Sequence, residues 1–557
     1  MKKLIVLAAA LLSAIEVFAC TNLIVTRGAS ADGSNMLTYA ADSHTRYGYL
    51  YFNPAARFGK KDMREIFEWG PNRFLGKIPQ VRNTYHVVGN MNEFQLMVGE
   101  STWGGLKDHV DPKGILDYGS LMYIALERCK SAKEAIHTIV DLANEYGYAS
   151  SGESISLVDK EEAWILEMIS KVPEYSEDSV NVNKGIVWAA ARIPDGSISA
   201  HANCARITQI DTADSVNFMY APDLFEYVEK QGLYEGEKAA FSFADTFCPL
   251  DFMAMRGCEA RVWSFFNKFA EEDMKPYLDF ARGDNPKHRL PLYVTPKKKI
   301  SVKELADMMR DRFEGTEFDM SRGIGAGTHE LPYRWRPMTY KVDGVENLNE
   351  RAIATQQTGF WFVAQARKEL PDFIGGLIWF GVDDAGTSPL TPVYASSKEI
   401  SMHYSVENGS MVEYSPTSMF WLVNRIAQFA YLRYNQIGTE VRTIIDEHEN
   451  AMIKKIQQAD KDAYEMYLNS SQKKCVKYLT NVSVTCADYL FYKWSRLDEY
   501  LLVKFIDGNT KKQNADGSFT TNGFTDYVPA MPDFPGYSET FLRTVAASDE
   551  AKGQRVK

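Results

Sequence analysis

A cysteine at position 20, directly behind a stretch that reads as a secretion signal, constrains this chain more than any other feature. Lys2 and Lys3 form a basic start, Leu4 to Ile15 an apolar run of twelve residues, and Val17-Phe18-Ala19 sets small residues three and one before Cys20. Such a run is too short to anchor in a bilayer and fits a cleaved signal peptide spanning 1–19. Cleavage after Ala19 leaves Cys20 as the first residue, with a free α-amine beside its thiol. The rival reading is a lipoprotein signal, in which the cysteine is acylated and tethers the chain. Phe18 is bulky where such signals carry a small or β-branched residue.

The segment after Cys20 reads as a β-hairpin. Leu23-Ile24-Val25 is apolar, "RGASADGS" supplies turn residues, and an extended pattern resumes from Met36 to Ala40. With the turn centred near Ala31, Cys20 and Asp42 fall opposite each other, give or take a residue or two of register. A carboxylate close to the new N-terminus is thus expected from spacing alone. Further hairpins are expected in "SISLVDKEEAWILEM", turning at Asp159-Lys160, and in "GIVWAAARIPDGSISAHAN", turning at Pro194-Asp195-Gly196. Helical spacing with a break near Ser131 suggests two helices between Tyr118 and Gly147, and "GFWFVAQA" and "FIGGLIWFGV" read as buried strands. Paired strands with helices between them give an α+β class: antiparallel sheets covered by helices.

From Ser418 the pattern changes. Val441, Ile444, Ile445, His448, Met452 and Ile456 recur at helical spacing, and a second helical stretch runs through "CADYLFYKWSRLDEYLLVKFI". The division expected is a signal at 1–19, a main domain at 20–435, a helical extension at 436–506 and a polar, loosely ordered tail at 507–557. The extension could cover the core, shape the pocket or build the interface of a homo-oligomer; periodicity does not choose.

An N-terminal cysteine can be activated by its own α-amine, whose ordinary pKa near 8 suits a base at neutral pH. Donors for an oxyanion are then needed, and Asn92 in "VGNMNEFQL" and Asn203 in "HANCARI" are candidates, although most asparagines at such places only close turns. Other chemistries find less support. The glycine-dense "RGIGAG" at Arg322–Gly327 is flanked by neither strand nor helix pattern and reads as a loop. The nine histidines include no HExxH pair and there is no CxxC, which leaves a zinc site little support, and a serine hydrolase would want a GxSxG elbow that is not found; the cysteine chemistry itself requires neither a metal nor an organic cofactor. A formal charge of −11 without a basic run argues against nucleic acid, and no later segment is apolar for long enough to span a membrane. Six further cysteines could form disulfides, with Cys248/Cys258 and Cys475/Cys486 at short spacing, or remain buried thiols.

Taken together, "CTNLIVTRGASADGSNMLTYAADSH", "GNMNEFQLMVGEST", "SLVDKEEAWILEM", "WAAARIPDGSISAHANCARI", "RVWSFF" and "YRWRPM" resemble the dipeptidase A family. These are cysteine-type N-terminal nucleophile hydrolases, related more distantly to bile-salt hydrolases and penicillin V acylases. The match runs in order from Cys20 to about Asn435. It implies a four-layer αββα sandwich, with Cys20 as nucleophile, Asp42 as the acid orienting the amine and Asn203 in the oxyanion hole. Asn92 falls in the "NE" region near the site, and Arg261 matches a downstream arginine of the site, with Arg256 close enough to be confused with it. Tyr39 stands where the family usually has an arginine, which bears on thiolate stabilisation or substrate preference. The implied protein is an exported dipeptidase, periplasmic or extracellular, acting on short peptides. The alternatives are an acylase for conjugated amides and a lipid-anchored protein that binds peptides without cleaving them.

Overall fold

The computed structural model describes residues 20–520, 524–525, 527–529 and 531–548, so the signal at 1–19 lies outside the described residues. In chain order the principal strands are β1 (Asn22–Val25), β2 (Asn35–Asp42), β3 (Met97–Trp103), β4 (Gly152–Val158), β5 (Ala163–Ser170), β6 (Ile186–Ile193), β7 (Ile198–His201), β8 (Thr358–Ala366), β9 (Gly376–Val382) and β10 (Thr391–Tyr394). The principal helices are α1 (Tyr118–Arg128), α2 (Ala132–Tyr146), α3 (Ala260–Phe269), α4 (Val302–Met308), α5 (Met419–Leu432), α6 (Thr439–Asn469) and α7 (Gln472–Phe505). Helix and antiparallel sheet are thus mixed, the α+β class expected.

Two sheets carry the architecture. One has seven strands, with β7-β1-β2-β8-β9-β10 side by side and Tyr293–Val294 at its edge; the other has eight, with β6-β5-β4-β3 at its centre. Side chains of the first sheet alternate between two cores. Leu37, Tyr39 and Ala41 join Met97, Ile155, Leu157 and Leu166 of the second sheet, whereas Met36 and Ala40 join Phe265, Phe269, Leu305, Met452 and Leu479 of α3, α4, α6 and α7. Both faces of β2 are therefore covered, and all eight of its residues are buried. This explains why the strand reads as nearly continuous small and apolar residues instead of alternating with charge. Helices α1 and α2 pack on the second sheet.

The expected β1–β2 hairpin forms, pairing Ile24 with Leu37 and Val25 with Met36. A further bridge joins Thr21 to Ala40, which sets Cys20 across from Ala41, one residue short of Asp42. The hairpin turning at Asp159-Lys160 is present as β4–β5. The one expected at Pro194-Asp195-Gly196 is not a hairpin. The tight turn exists, with Ser197 N–H donating to Pro194 O at 3.1 Å, but β6 pairs with β5 while β7 pairs with β1 in the other sheet. The turn residues do turn the chain, yet the partners that bury each strand lie in different sheets. The chain crosses from one to the other at this point.

Between α1 and α2 the break falls at Ser131, whose hydroxyl accepts from Glu134 N–H and caps α2. Helices α6 and α7 run antiparallel, with Tyr500 and Lys504 meeting Glu440 and Tyr478 meeting Asp462. Arg322–Gly327 does not stay a plain loop: a short 3-10 turn spans Ile324–His329, and Ser538 N–H, just before the terminal helix Glu539–Ala547, donates to Thr328 O. All seven cysteines are free thiols. The sulfurs of Cys204 and Cys248 approach to 3.8 Å, a pairing that neither short spacing suggests.

Candidate active site

Antiparallel pairing of β1 with both β2 and β7 brings three chain ends to one edge of the first sheet. Cys20 precedes β1, Asp42 ends β2, and Asn203 follows β7, where Asn22 faces His201. Asn203 sits at φ 62°, a left-handed conformation that asparagine tolerates better than other non-glycine residues. It redirects the chain so that its amide stays at the edge.

Arg261, in the first turn of α3, clamps two of these ends. Its Nη1 donates to Cys20 O and Thr21 Oγ1, both at 2.7 Å, and its Nη2 donates to Ala202 O at 3.1 Å and Asn203 Oδ1 at 3.0 Å. Only a planar fork fixed by helix packing can reach so many acceptors at once. Burial, reinforced by the Arg351 charge, lowers this guanidinium to about 10. Arg256, by contrast, pairs with Glu350. The Asn203 amide also donates through Nδ2 to Thr102 O at 2.6 Å.

Asp42 is fully buried and ion-paired to Arg351, while Thr358 Oγ1 donates to its Oδ1 at 2.6 Å. Burial lifts this carboxyl above its ordinary value, with the Arg351 charge and the Thr358 hydroxyl pulling it back. The Cys20 thiol is 3% exposed. Its Sγ lies 3.3 Å from Glu100 Oε1 and 3.8 Å from Tyr39 Oη. Burial, with Glu100 and Asp42 beside it, pushes the thiol well above its usual range. The sulfur is therefore held neutral unless a cation joins it.

Tyr39, on the inner face of β2, donates its hydroxyl to Glu100 Oε1 and is flanked edge-on by Phe360 and Phe362. Burial drives its pKa well up, so it acts as a neutral donor at the place where the resemblance leads one to expect a cation. Asn92 does not join the group. Its Nδ2 donates to Leu126 O at 2.8 Å and Cys129 O at 2.7 Å, and its Oδ1 accepts from the Phe94 and Leu96 amides. Every polar atom of that side chain is used to close a turn and hold the end of α1.

Two participants escaped sequence reasoning. Glu100 lies in mid-strand in "MVGESTW", and a lone carboxylate in an otherwise buried strand is a signal that could have found it. Arg351 carries no such signal, because its neighbourhood is created only when β8 pairs with β2. The chemistry available is that of a thiol nucleophile with amide and guanidinium donors about it. A cluster elsewhere, Asp307, Asp446 and Glu449, has carboxylate atoms close enough to surround an ion. Lys303, Arg310 and Arg442 already cross-link it, for example Lys303 Nζ to Asp446 Oδ1 at 2.6 Å, which makes it an ion-pair network.

Residues 69–447 match the model of "Peptidase family C69". A "Probable dipeptidase" of Salmonella dublin is 24% identical over 71% of this chain and 85% of its own length. A "Probable dipeptidase" of Latilactobacillus sakei is 23% identical over 75% and 82%. A "Probable dipeptidase B" of Streptococcus pyogenes serotype M1 is 23% identical over 89% and 95%.

Proposed function

The chain belongs to peptidase family C69 and is a peptidase, and from that premise we propose that it is an exported cysteine dipeptidase whose nucleophile is Cys20, freed by removal of residues 1–19. The observation that carries this reading is the convergence of Cys20, Asp42, Asn203 and Arg261 at the edge where β1 begins. The facing sheets with helices on both outer faces fit the four-layer sandwich of N-terminal nucleophile hydrolases, in which the nucleophile opens a central strand.

In this mechanism the α-amine of mature Cys20 takes the thiol proton, and the new ammonium offsets the burial and carboxylate charges that otherwise keep the sulfur neutral. The thiolate attacks the scissile carbonyl carbon. Negative charge moves to the carbonyl oxygen, which the Asn203 amide and a backbone N–H receive. The ammonium returns its proton to the leaving amine as the C–N bond breaks, leaving a thioester on Cys20. Water, deprotonated by the same amine, then adds to the thioester, and the acid departs as Cys20 regains its proton. Arg261 positions the Cys20 carbonyl and the Asn203 side chain, and Arg351 holds Asp42 at the end of the strand beside them.

Activity on dipeptides should survive chelators and be lost on thiol alkylation. Cys20→Ala should abolish turnover, and Cys20→Ser should retain a weaker residue of it. Loss with a chelator and recovery with zinc, or undiminished hydrolysis by Cys20→Ala, sinks the proposal. N-terminal sequencing of the protein from its host tests export and processing together: a free Cys20 is expected, and an acylated one would establish an anchored protein.

A further inference from the structure

Beside the nucleophile lie two buried carboxyl groups that the reaction above does not use. Glu100 on β3 is 1% exposed and Glu153 on β4 is fully buried. Glu153 accepts from Thr102 Oγ1 through Oε2 at 2.9 Å, and Glu100 accepts from Tyr39 and the Cys20 thiol through Oε1. The remaining oxygens, Glu100 Oε2 and Glu153 Oε1, have no donor among the described residues. No ion pair to either group occurs among the described residues, although buried carboxylates are ordinarily paired. Desolvation and the neighbouring Glu100 keep Glu153 protonated well above the usual carboxyl range. The two groups thus lie buried near each other with Glu153 protonated, and neither has an ion-pair partner among the described residues.

The position of the pair identifies what could complete it. In an amino acid the α-nitrogen lies about 2.5 Å from its own carbonyl carbon, given ordinary bond lengths and angles. An acceptor for that ammonium therefore falls roughly 3 to 5 Å from a sulfur attacking the carbonyl. Glu100 Oε1, at 3.3 Å from Cys20 Sγ, is in that range. A fatty acyl, bile-acid or N-acetylated group has no cation at that atom and would leave the acid pair buried and unmatched.

Resting on the reading of Cys20 as nucleophile, we propose that Glu100 and Glu153 together bind the free α-ammonium of the residue whose carbonyl is attacked, restricting the enzyme to amides of unblocked amino acids. Glu100 would make the nearer contact. Glu153, which does not touch the sulfur, would set the charge of the pair and so the strength of binding.

The test uses the mature enzyme with alanyl-alanine and with propionyl-alanine, which differs by the missing amine. The native enzyme should favour alanyl-alanine by at least about 100-fold in kcat/KM, the discrimination expected when a built polar site meets a substrate lacking its partner. Glu153→Gln should shrink that ratio about tenfold or more, mainly by raising KM for alanyl-alanine. Equal use of both substrates by the native enzyme, with the Cys20 thioester trapped from each, overturns this inference and leaves the cysteine mechanism standing. So does a Glu153→Gln variant in which both substrates lose rate in parallel, which marks the pair as structural. Turnover of alanyl-alanine without any Cys20 adduct overturns the mechanism itself, and this inference with it.

Discussion

At the scale of single residues, the molecule uses buried polar side chains as fixed parts between its sheets. His201 is the clearest. Its Nδ1 lies 2.6 Å from Ser101 Oγ and its Nε2 2.7 Å from Ser156 Oγ, so one imidazole on β7 ties both β3 and β4 across the interface. With the ring neutral, one hydroxyl donates to it and the other accepts. Burial, aided by the Arg206 charge, pushes its pKa from 6.5 down to about 3. Between those values the unfolded chain binds a proton here and the folded chain does not, so acid removes stability across that window, on the order of a few kcal/mol in all. Urea midpoints at pH 7 and pH 4.5 should fall less for His201→Gln than for the native protein. Equal falls would show that the ring is not held neutral. Glu167, raised to about 7 mainly by burial, acts in the opposite direction as pH rises, which is why the comparison is made between variants and not on the native curve alone.

Among elements, helix α3 decides the geometry of the edge where β1 begins and β7 ends. Arg261→Lys keeps the charge but cannot span the four acceptors on Cys20, Thr21, Ala202 and Asn203. A drop of about 100-fold in kcat is expected, with little change in the rate at which a small alkylating agent consumes Cys20, because the thiol stays while its alignment with the Asn203 amide is lost. Unchanged kcat would reduce Arg261 to a structural tie. Much of this edge was legible in the sequence. The apolar run, turn residues and second run after Cys20 specify a hairpin whose length brings the cysteine and Asp42 near each other, within the residue or two of register that turn geometry leaves. Illegible there is whatever depends on pairing between distant segments. Pro194-Asp195-Gly196 announces a turn but not which sheet receives each arm. Asn92 and Asn203 look equivalent in sequence, and only the surroundings show one closing a turn while the other adjoins the Arg261 fork. The Glu100–Glu153 pair needs β3 and β4 in register before two isolated glutamates become neighbours.

For the whole molecule, the long helices α6 and α7 are tied to the outer side of the first sheet by packing and by a buried ion pair. Arg310 reaches Glu449 of α6, Nη1 to Oε2 at 3.1 Å, and both side chains are 3% exposed. Glu449→Leu leaves the guanidinium underpaired and should cost roughly 3 kcal/mol, whereas the double variant Arg310→Met, Glu449→Leu should cost less than the losses of Arg310→Met and Glu449→Leu added together. Denaturant melts of the four proteins check this, and simple additivity would show that the contact contributes nothing of its own. The strand order has a further consequence. Arg351 stands just before β8, and β8 lies between β2 and β9 in the first sheet. The groups around Cys20 are thus spread from the first strand to a segment nearly two-thirds of the way along the chain. During synthesis on the ribosome, β1 and β2 emerge hundreds of residues before the strand that closes their open flank, so a nascent or truncated chain holds Cys20 and Asp42 without Arg351 and β8, which pair and cover that carboxylate. The cluster around Cys20 is therefore completed only once the chain has been made past β8.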